Sequence, residues 1–273
     1  MDNRPIGFFD SGLGGLTCIP YLMNALPNER IVYFGDTART PYGSKATGTI
    51  RHFAFEITDF LASEGVKMIV IACNTVSATC LGELRERHPD LPVLGIISPA
   101  AHTVAEKCGA ENRVGIIGTK VTIASGAYRE KIGRLAPKLD IHEAPCPIFV
   151  PLIEEGIVDN EIMDLSVRHY LDGFIAESAI DTLVLGCTHY PLIKDNISRL
   201  YPKLDIIDPS QEVVASIEGS LSRSGLLAGE GGPSGHMFYA SDLSENFVNM
   251  IDRIFKGTGF KVAFKNFDLE ARV

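Results

Sequence analysis

The chain has 273 residues, of which 45% are hydrophobic and 22% charged, and this composition excludes a disordered or fibrous protein. Twenty-five lysine and arginine residues against 34 aspartate and glutamate residues give a net charge of −9, which argues against a nucleic-acid-binding surface. No apolar stretch approaches the roughly 18 residues of a membrane span, and the first residues lack the pattern of a signal peptide. We therefore expect a cytoplasmic protein that binds neither nucleic acid nor membrane.

Short apolar runs alternate with longer amphipathic stretches along most of the chain. This alternation is typical of βαβ units and predicts an α/β fold with mostly parallel sheets. The predicted strands are Ile6–Phe9, Ile31–Phe34, Met68–Ala72, Val93–Ile97, Val114–Ile117, Leu139–His142, Leu183–Leu185, Ile206–Ile207 and Met237–Ala240. The predicted helices are Ile50–Glu64, Thr79–Arg87, Ile123–Leu135, Ile162–Glu177 and Glu245–Phe255.

A weak internal repeat relates the two halves of this pattern. Three pairs of segments match in the same order, at offsets of 108, 114 and 110 residues. The matched segments are Ile6–Ser11 with Val114–Thr119, Ile69–Thr75 with Leu183–His189, and the runs that end at Pro99 and Pro209. We interpret them as a duplication, which predicts two similar three-layer αβα domains related by pseudo-twofold symmetry, with the active site in the cleft between them.

The part of the chain after Asp208 does not continue the repeat. It contains a loop rich in glycine and serine, followed by one predicted strand and one predicted helix. We expect this part to pack back on the first unit. The predicted first domain is therefore discontinuous and comprises residues 1–98 and 208–273, and the second domain comprises residues 99–207.

Two of the six cysteines, Cys73 and Cys187, stand out by their position. Each follows a buried predicted strand and precedes polar residues that can cap a helix. Ligands of open α/β sheets bind beyond the carboxyl ends of the strands, and a helix N-terminus stabilises a thiolate. The alternative is a pair of inert buried thiols, which the duplicated setting disfavours. Two equivalent thiols that face one ligand suit the inversion of a carbon centre, in which one removes a proton and the other returns one on the opposite face.

Other polar residues lie near these strand ends. Asp10 ends the first strand in a glycine-rich loop that is not a dinucleotide-binding motif, because Thr17 stands where the third glycine is required. Asp10 could hold an ammonium group, position a thiol or cap a helix. His189 could be a general acid–base or a partner of the Cys187 thiol, or a structural histidine bonded to backbone. Pro41–Gly43 is a turn that could present backbone N–H groups or lie at the surface.

Metal binding is not expected from the sequence. The histidines and cysteines show no metal-ligand spacing, since no C-x-x-C or H-x-x-x-H pair occurs. The wide spacing of the cysteines also indicates reduced thiols rather than a disulfide framework.

These segments together resemble the glutamate racemases of the aspartate/glutamate racemase family, which make D-glutamate for bacterial peptidoglycan without a cofactor. The matching segments are FFDSGLGGL (8–16), FGDTARTPYGSK (34–45), ACNTVSA (72–78), VGIIGT (114–119) and LGCTHYPL (185–192). Their order and spacing also match, and the resemblance covers essentially the whole chain. One departure is Val76, where alanine is commoner in the family, and it does not affect the assignment.

The resemblance implies an enzyme that interconverts L- and D-glutamate with two thiols, no cofactor and no metal. Cys73, assisted by Asp10, would deprotonate D-glutamate, and Cys187, assisted by His189, would deprotonate L-glutamate. The substrate-lining positions that it implies are Asp10, Ser11, Pro41, Tyr42, Gly43, Asn74, Thr75, Thr119, Glu154, Thr188 and His189. Family members are usually dimers, so the resemblance also implies a homodimer.

Three other functions stay open on the residues alone. The first is a racemase for aspartate or another amino acid. The second is a cysteine hydrolase or lyase, which needs only one nucleophile and little contribution from the second cysteine. The third is a protein that binds an amino acid without turning it over.

Overall fold

The computed structural model describes residues 1–229, 235–255 and 260–267. The strands are β1 (Ile6–Asp10), β2 (Ile31–Gly35), β3 (Met68–Ile71), β4 (Val93–Gly95), β5 (Arg113–Gly118), β6 (Asp140–Pro145), β7 (Thr182–Gly186), β8 (Asp205–Ile207), β9 (His236–Ala240) and β10 (Phe260–Phe264). The helices are α1 (Ile19–Ala25), α2 (Thr47–Ser63), α3 (Asn74–Thr79), α4 (Leu81–Arg87), α5 (Ile97–Lys107), α6 (Lys120–Ser125), α7 (Ala127–Leu135), α8 (Phe149–Glu154), α9 (Glu161–Ser178), α10 (Lys194–Leu200), α11 (Pro209–Arg223) and α12 (Glu245–Phe255).

The strands form two separate sheets, and every strand pair in both is parallel. The first sheet has the order β10-β9-β2-β1-β3-β4, and the second has the order β6-β5-β7-β8. The segment β2-β1-β3-β4 of the first sheet has the same arrangement as the whole second sheet. This correspondence is the one that a duplicated unit predicts, and the predicted α/β class with parallel sheets is confirmed.

The central strands are buried on both faces, which explains their continuous apolar sequences. Every residue of β1, β2, β3 and β7 is buried. Successive residues of β1 point to opposite faces, so that Phe8 packs in one core cluster and Phe9 in another. The cluster around Phe8 also contains Val114 and Val184 of the second sheet, because α5 contacts both α7 and α11. A single apolar core therefore continues from one unit into the other.

Two predicted helices differ from the structure in their bounds. The predicted helix Thr79–Arg87 corresponds to α4, which begins at Leu81 because Cys80 separates it from α3. In place of Ile123–Leu135, α6 ends and α7 begins at Gly126, whose φ of 66° is a left-handed conformation that terminates a helix. The prediction missed α3 because its sequence, Asn-Thr-Val-Ser-Ala-Thr, has low helix propensity.

The predicted strand Val93–Ile97 is also too long at its carboxyl end. It stops at Gly95 because α5 begins at Ile97. The prediction did not include the helices α1, α5, α8, α10 and α11.

The division into domains of residues 1–98 with 208–273 and 99–207 stays a prediction. Within the described residues, no helix combines the length and the apolar character that crossing a membrane requires.

A buried ion pair fixes the amino-terminal side of the first sheet. The Lys67 Nζ lies 2.6 Å from the Glu29 Oε2, and both side chains are buried. The ammonium group also donates hydrogen bonds of 2.7 Å to the carbonyl oxygens of Asp2 and Leu226. Lys67 therefore ties the start of the chain and the segment after α11 to the sheet.

We predict that Lys67→Met lowers the free energy of unfolding by about 3–5 kcal/mol, because it leaves the Glu29 carboxylate buried without its partner. The double variant Glu29→Gln/Lys67→Met should recover most of this loss. The matched control is Arg134→Met, which removes the exposed pair with Glu130 and should cost less than about 0.5 kcal/mol. Urea unfolding followed by circular dichroism measures all three variants. A Lys67→Met protein as stable as the parent would contradict the assignment.

Candidate active site

The carboxyl ends of strands from both sheets meet around one small cavity. Its lining comes from the segments that directly follow β1, β2, β3, β5 and β7, including the first turn of α3, and from α8. The lining residues are Ser11, Pro41, Tyr42, Gly43, Cys73, Asn74, Thr75, Thr119, Val150, Cys187, Thr188 and His189. In the part of the chain that the structure describes, this lining contains no lysine or arginine. An anionic ligand must therefore be held by N–H, O–H and amide donors.

Cys73 and Cys187 enter this cavity from different sheets. Cys73 follows β3 and is 4% exposed, and Cys187 follows β7 and is 6% exposed. The Cys73 thiol lies 3.5 Å from the Ser11 Oγ, and the Cys187 Sγ lies 3.8 Å from the His189 Nδ1. The two sulfur atoms thus have different polar partners although they occupy corresponding positions in the repeat.

Asp10 lies at the end of β1 and is completely buried. Its Oδ1 accepts a hydrogen bond of 3.1 Å from the Thr188 hydroxyl, and its Oδ2 accepts one of 3.0 Å from the Gly12 N–H. Burial raises the pKa of Asp10, although the charge of His189 opposes the change. Burial also raises the pKa of Cys73 to about 12, and the negative charge of Asp10 acts in the same direction. Cys73 is therefore a protonated thiol at neutral pH.

His189 joins Cys187 to a carboxylate. Its Nε2 lies 2.5 Å from the Glu154 Oε1 at the end of α8. Burial alone would lower the pKa of His189, but the hydrogen bonds to Cys187 and Glu154 outweigh it and raise the pKa well above its ordinary value. The cavity thus places a proton-donating thiol on one side and a sulfur with a cationic neighbour on the other.

A cluster of hydroxyl groups spans the two units. The Thr75 Oγ1, after β3, lies 3.1 Å from the Thr119 Oγ1 and 3.3 Å from the Thr122 Oγ1, both after β5. The Thr119 Oγ1 also caps α6 by accepting a hydrogen bond from the Thr122 N–H. These contacts hold the hydroxyl groups of Thr75 and Thr119 at the cavity wall.

The turn that carries Tyr42 is fixed by a buried carboxylate at the end of β2. The Tyr42 hydroxyl donates a hydrogen bond to the Asp36 Oδ2. The same carboxylate accepts hydrogen bonds from the Ser241 Oγ at 2.7 Å and the Arg39 Nε at 2.8 Å. Asp36 therefore connects the Pro41–Gly43 turn to the loop after β9.

Two glycines allow the loops of one unit to approach side chains of the other. A Cβ atom on Gly14 would lie 2.4 Å from the His189 Nδ1, and one on Gly43 would lie 2.4 Å from the Thr119 Cβ. Any side chain at either position would therefore clash with a residue of the cavity wall. This close approach accounts for glycine in the Asp-Ser-Gly-Leu-Gly-Gly loop and in the Pro-Tyr-Gly turn.

The structure brings the predicted site residues together, with two of them behind the cavity wall. Eleven line the cavity, whereas Asp10 lies behind Thr188 and Glu154 lies behind His189. The roles assigned to all of them stay predictions. The sequence analysis missed Asp36, Thr122, Tyr128 and Val150. A signal existed for Asp36, which follows β2 directly as Cys187 follows β7, and for Thr122, three residues after Thr119.

The remaining two missed residues carried no signal in the sequence. Tyr128 and Val150 belong to α7 and α8, and they read as ordinary core residues. Their position at the site depends on how these helices pack on the sheets.

Comparisons with known proteins agree with the resemblance seen in the motifs and confirm it. Residues 18–217 match the model of the Asp/Glu/Hydantoin racemase family. A glutamate racemase from Geobacter metallireducens is 41% identical over 258 residues, which cover 94% of each chain.

Solved structures give the same result. A glutamate racemase from Francisella tularensis, solved in complex with D-glutamate, has a TM-score of 0.89 and 38% identity, and the match covers 99% of this chain and 100% of that one. The glutamate racemase isoform RacE1 from Bacillus anthracis has a TM-score of 0.90 and 33% identity, with 98% and 99% of the two chains covered. These relatives match along nearly their full lengths, so both units are shared.

The raised pKa of Cys73 has a direct spectroscopic consequence. The difference in ultraviolet thiolate absorbance between the parent and Cys73→Ser should stay near zero up to about pH 10, whereas an ordinary thiol ionises near pH 8.5. Asp10→Asn should move the onset to lower pH because it removes a neighbouring negative charge. Circular dichroism marks the pH range in which the protein stays folded. A Cys73 signal at the ordinary thiol pH would overturn the interpretation.

Proposed function

The chain belongs to the Asp/Glu/hydantoin racemase family and is an amino-acid racemase, and we propose that it interconverts L- and D-glutamate with Cys73 and Cys187 as its two acid–base groups. The observation that carries this proposal is the meeting of two thiols, at corresponding positions of a duplicated sheet, in one buried cavity. Glutamate as substrate is supported by the curated glutamate racemases that match most of the chain, and by the relative solved with D-glutamate.

The proposed reaction exchanges one proton on each face of Cα. For L-glutamate, the Cys187 thiolate takes the Cα proton and the C–H bonding electrons stay on carbon. The Cys73 thiol then gives its proton to the opposite face, which forms the new C–H bond of D-glutamate and leaves Cys73 as a thiolate. The reverse reaction starts from this second protonation state. His189 assists Cys187, and Asp10 assists Cys73.

The two sulfur atoms have unequal surroundings, and for this reason we assign the removal of the Cα proton of L-glutamate to Cys187. The cationic His189 lies beside the Cys187 sulfur atom, whereas burial and the negative charge of Asp10 raise the pKa of Cys73 to about 12. We therefore assign the proton-donating role in the conversion of L-glutamate to Cys73 and the proton-accepting role to Cys187. Binding of D-glutamate requires the proton to move to Cys187 first. The substrate ammonium group, placed near Asp10, offsets the negative charge that opposes a Cys73 thiolate.

The Cα proton of an amino-acid zwitterion is far less acidic than a thiol, so the thiolate alone is too weak a base. The cavity must stabilise the carbanion-like transition state, and oriented donors in a site without bulk water contribute a few kcal/mol each. The donors available are the hydroxyl groups of Ser11, Thr75 and Thr119 and the Asn74 amide. No cofactor is needed in this scheme, because the electron pair is stabilised by these groups.

The two carboxylates of glutamate would bind at opposite ends of the cavity. Ser11, Asn74, Thr75 and Thr188 would hold the α-carboxylate and ammonium groups next to the two thiols. Tyr42 and Gly43 would bind the side-chain carboxylate, as the resemblance implies.

We further propose that the enzyme is a cytoplasmic homodimer and that its D-glutamate supplies peptidoglycan synthesis.

The two-thiol reaction predicts a specific pattern of isotope incorporation. When L-glutamate is incubated in deuterated water, the D-glutamate formed should carry deuterium at Cα, while L-glutamate recovered at low conversion should keep its protium. Cys73→Ser and Cys187→Ser should each lose racemisation by at least about 10³-fold, since each face then lacks its acid–base group. Chiral chromatography with mass spectrometry measures both quantities.

The matched control for these variants is Cys146→Ala. Cys146 is also buried and reduced, but it does not line the cavity, so this variant should keep its racemase activity. Rapid deuterium entry into the recovered L-glutamate would instead indicate a single base. Activity on aspartate with none on glutamate would replace the proposed substrate.

A second prediction concerns the close approach of the Gly14 loop to His189. Gly14→Ala should lower kcat/KM for glutamate on the order of 10²-fold, because the added methyl group displaces the imidazole by roughly an ångström. The control is Gly48→Ala in α2, where a Cβ atom meets nothing within 4 Å. Full activity of Gly14→Ala would show that the position of His189 is not critical.

A further inference from the structure

The two ends of the Asn74 amide have different surroundings. Asn74 directly follows Cys73, lines the cavity and is 2% exposed. Its Oδ1 accepts a hydrogen bond of 2.6 Å from the Tyr128 hydroxyl. Its Nδ2 is also buried, but it has no hydrogen-bond partner among the described residues. Leaving a buried amide donor unpaired costs free energy, and such groups in a native fold need an explanation.

Tyr128 reaches Asn74 from the other unit. It lies in α7, is 1% exposed, and its ring packs beside Gly186, where an added Cβ atom would lie 3.2 Å from the Tyr128 Cε2. Gly186 directly precedes Cys187. The Tyr128 ring therefore lies beside the residue that precedes Cys187, and its hydroxyl group contacts the residue that follows Cys73. Burial raises the pKa of Tyr128 well above its ordinary value, so the hydroxyl keeps the proton that it donates.

We propose that Tyr128 is a positioning residue, whose hydroxyl group orients the Asn74 amide so that its Nδ2 protons face the cavity and bind a carboxylate of the substrate. The inference rests on the proposed function, because it takes the ligand to be glutamate. The reverse amide orientation would direct an oxygen lone pair at the carboxylate and would leave the Tyr128 proton without its acceptor. The hydroxyl group thus selects the orientation in which Asn74 is a donor.

This arrangement also links substrate binding to the contact between the two units. Asn74 is the first residue of α3, which follows β3, whereas Tyr128 belongs to α7, which follows β5 and α6. The amide is therefore oriented only when the two units are in contact at this point. Tyr128 itself does not line the cavity, so its effect on the substrate must pass through Asn74.

A double-mutant cycle tests the proposal. Tyr128→Phe should raise KM for both enantiomers of glutamate on the order of tenfold, because the amide loses its fixed orientation, and kcat should stay within about threefold. In an Asn74→Ala background, Tyr128→Phe should change KM by less than about twofold, since no amide is left to orient. Independent effects of the two substitutions would overturn the proposal.

The control for a purely structural effect is Tyr190→Phe. The Tyr190 hydroxyl is equally buried and donates a hydrogen bond of 2.8 Å to the Cys146 carbonyl oxygen, away from the cavity lining. This variant should lose stability to a similar degree as Tyr128→Phe, while its KM stays within about twofold of the parent. An equal rise in KM in both variants would mean that Tyr128 acts through stability alone.

A second measurement uses the unmodified protein, so it tests the orientation of the Asn74 amide even if Tyr128→Phe does not fold. In a crystal structure with D-glutamate, the Asn74 Nδ2 should lie about 2.7–3.2 Å from a substrate carboxylate oxygen, with the Oδ1 still on Tyr128. A carboxylate beyond hydrogen-bond distance of the Nδ2 would refute the inference. If the parent protein did not racemise glutamate, the proposed function would fall as well. Normal racemisation with an additive cycle would remove only the role of Tyr128.

Discussion

The chemistry of this protein depends on one geometric constraint, which is that all strands of each sheet are parallel. In a parallel sheet, the carboxyl ends of the strands lie at one edge, so the loops that follow them converge. Because β2-β1-β3-β4 and β6-β5-β7-β8 have the same arrangement, two such edges exist, and both contribute to one cavity. Each cysteine reaches it from its own sheet. A one-unit protein with the same loops would place only one thiol beside a ligand.

The electrostatics of the cavity break the symmetry that the repeat creates. Cys73 has a buried carboxylate nearby, whereas Cys187 has an imidazole that is hydrogen-bonded to Glu154. Unequal thiols are compatible with racemisation, because enantiomers have equal free energies and kcat/KM must be the same in both directions. The unequal thiols can therefore make kcat and KM differ between the two enantiomers, but both must differ by the same factor.

The sequence predicted the carboxyl ends of the strands that reach the cavity well and the helix-borne residues poorly, for a physical reason. Strand ends are marked locally, since a buried apolar run stops at a polar residue, as at Asp10 and Cys187. The position of Tyr128 depends instead on the left-handed Gly126, which divides the predicted helix Ile123–Leu135 and sets the direction of α7. The motif resemblance supplied roles for Asn74 and Thr119 but not for the residues that hold them. Such supporting contacts arise from tertiary packing, which periodicity does not encode.

The close contact of the two units implies that substrate exchange requires motion. The two thiols are 4% and 6% exposed, and the wall residues Gly43 and Thr119, from different units, leave no room between them for even one more methyl group. Pro41 is the exposed residue of the cavity lining, so the Pro41–Gly43 turn marks the side from which the cavity is reached. A glutamate molecule can enter only when this turn or the two units move apart. Because the closed cavity excludes water and strengthens the hydrogen bonds to the substrate, the product can leave only after the same motion reopens it.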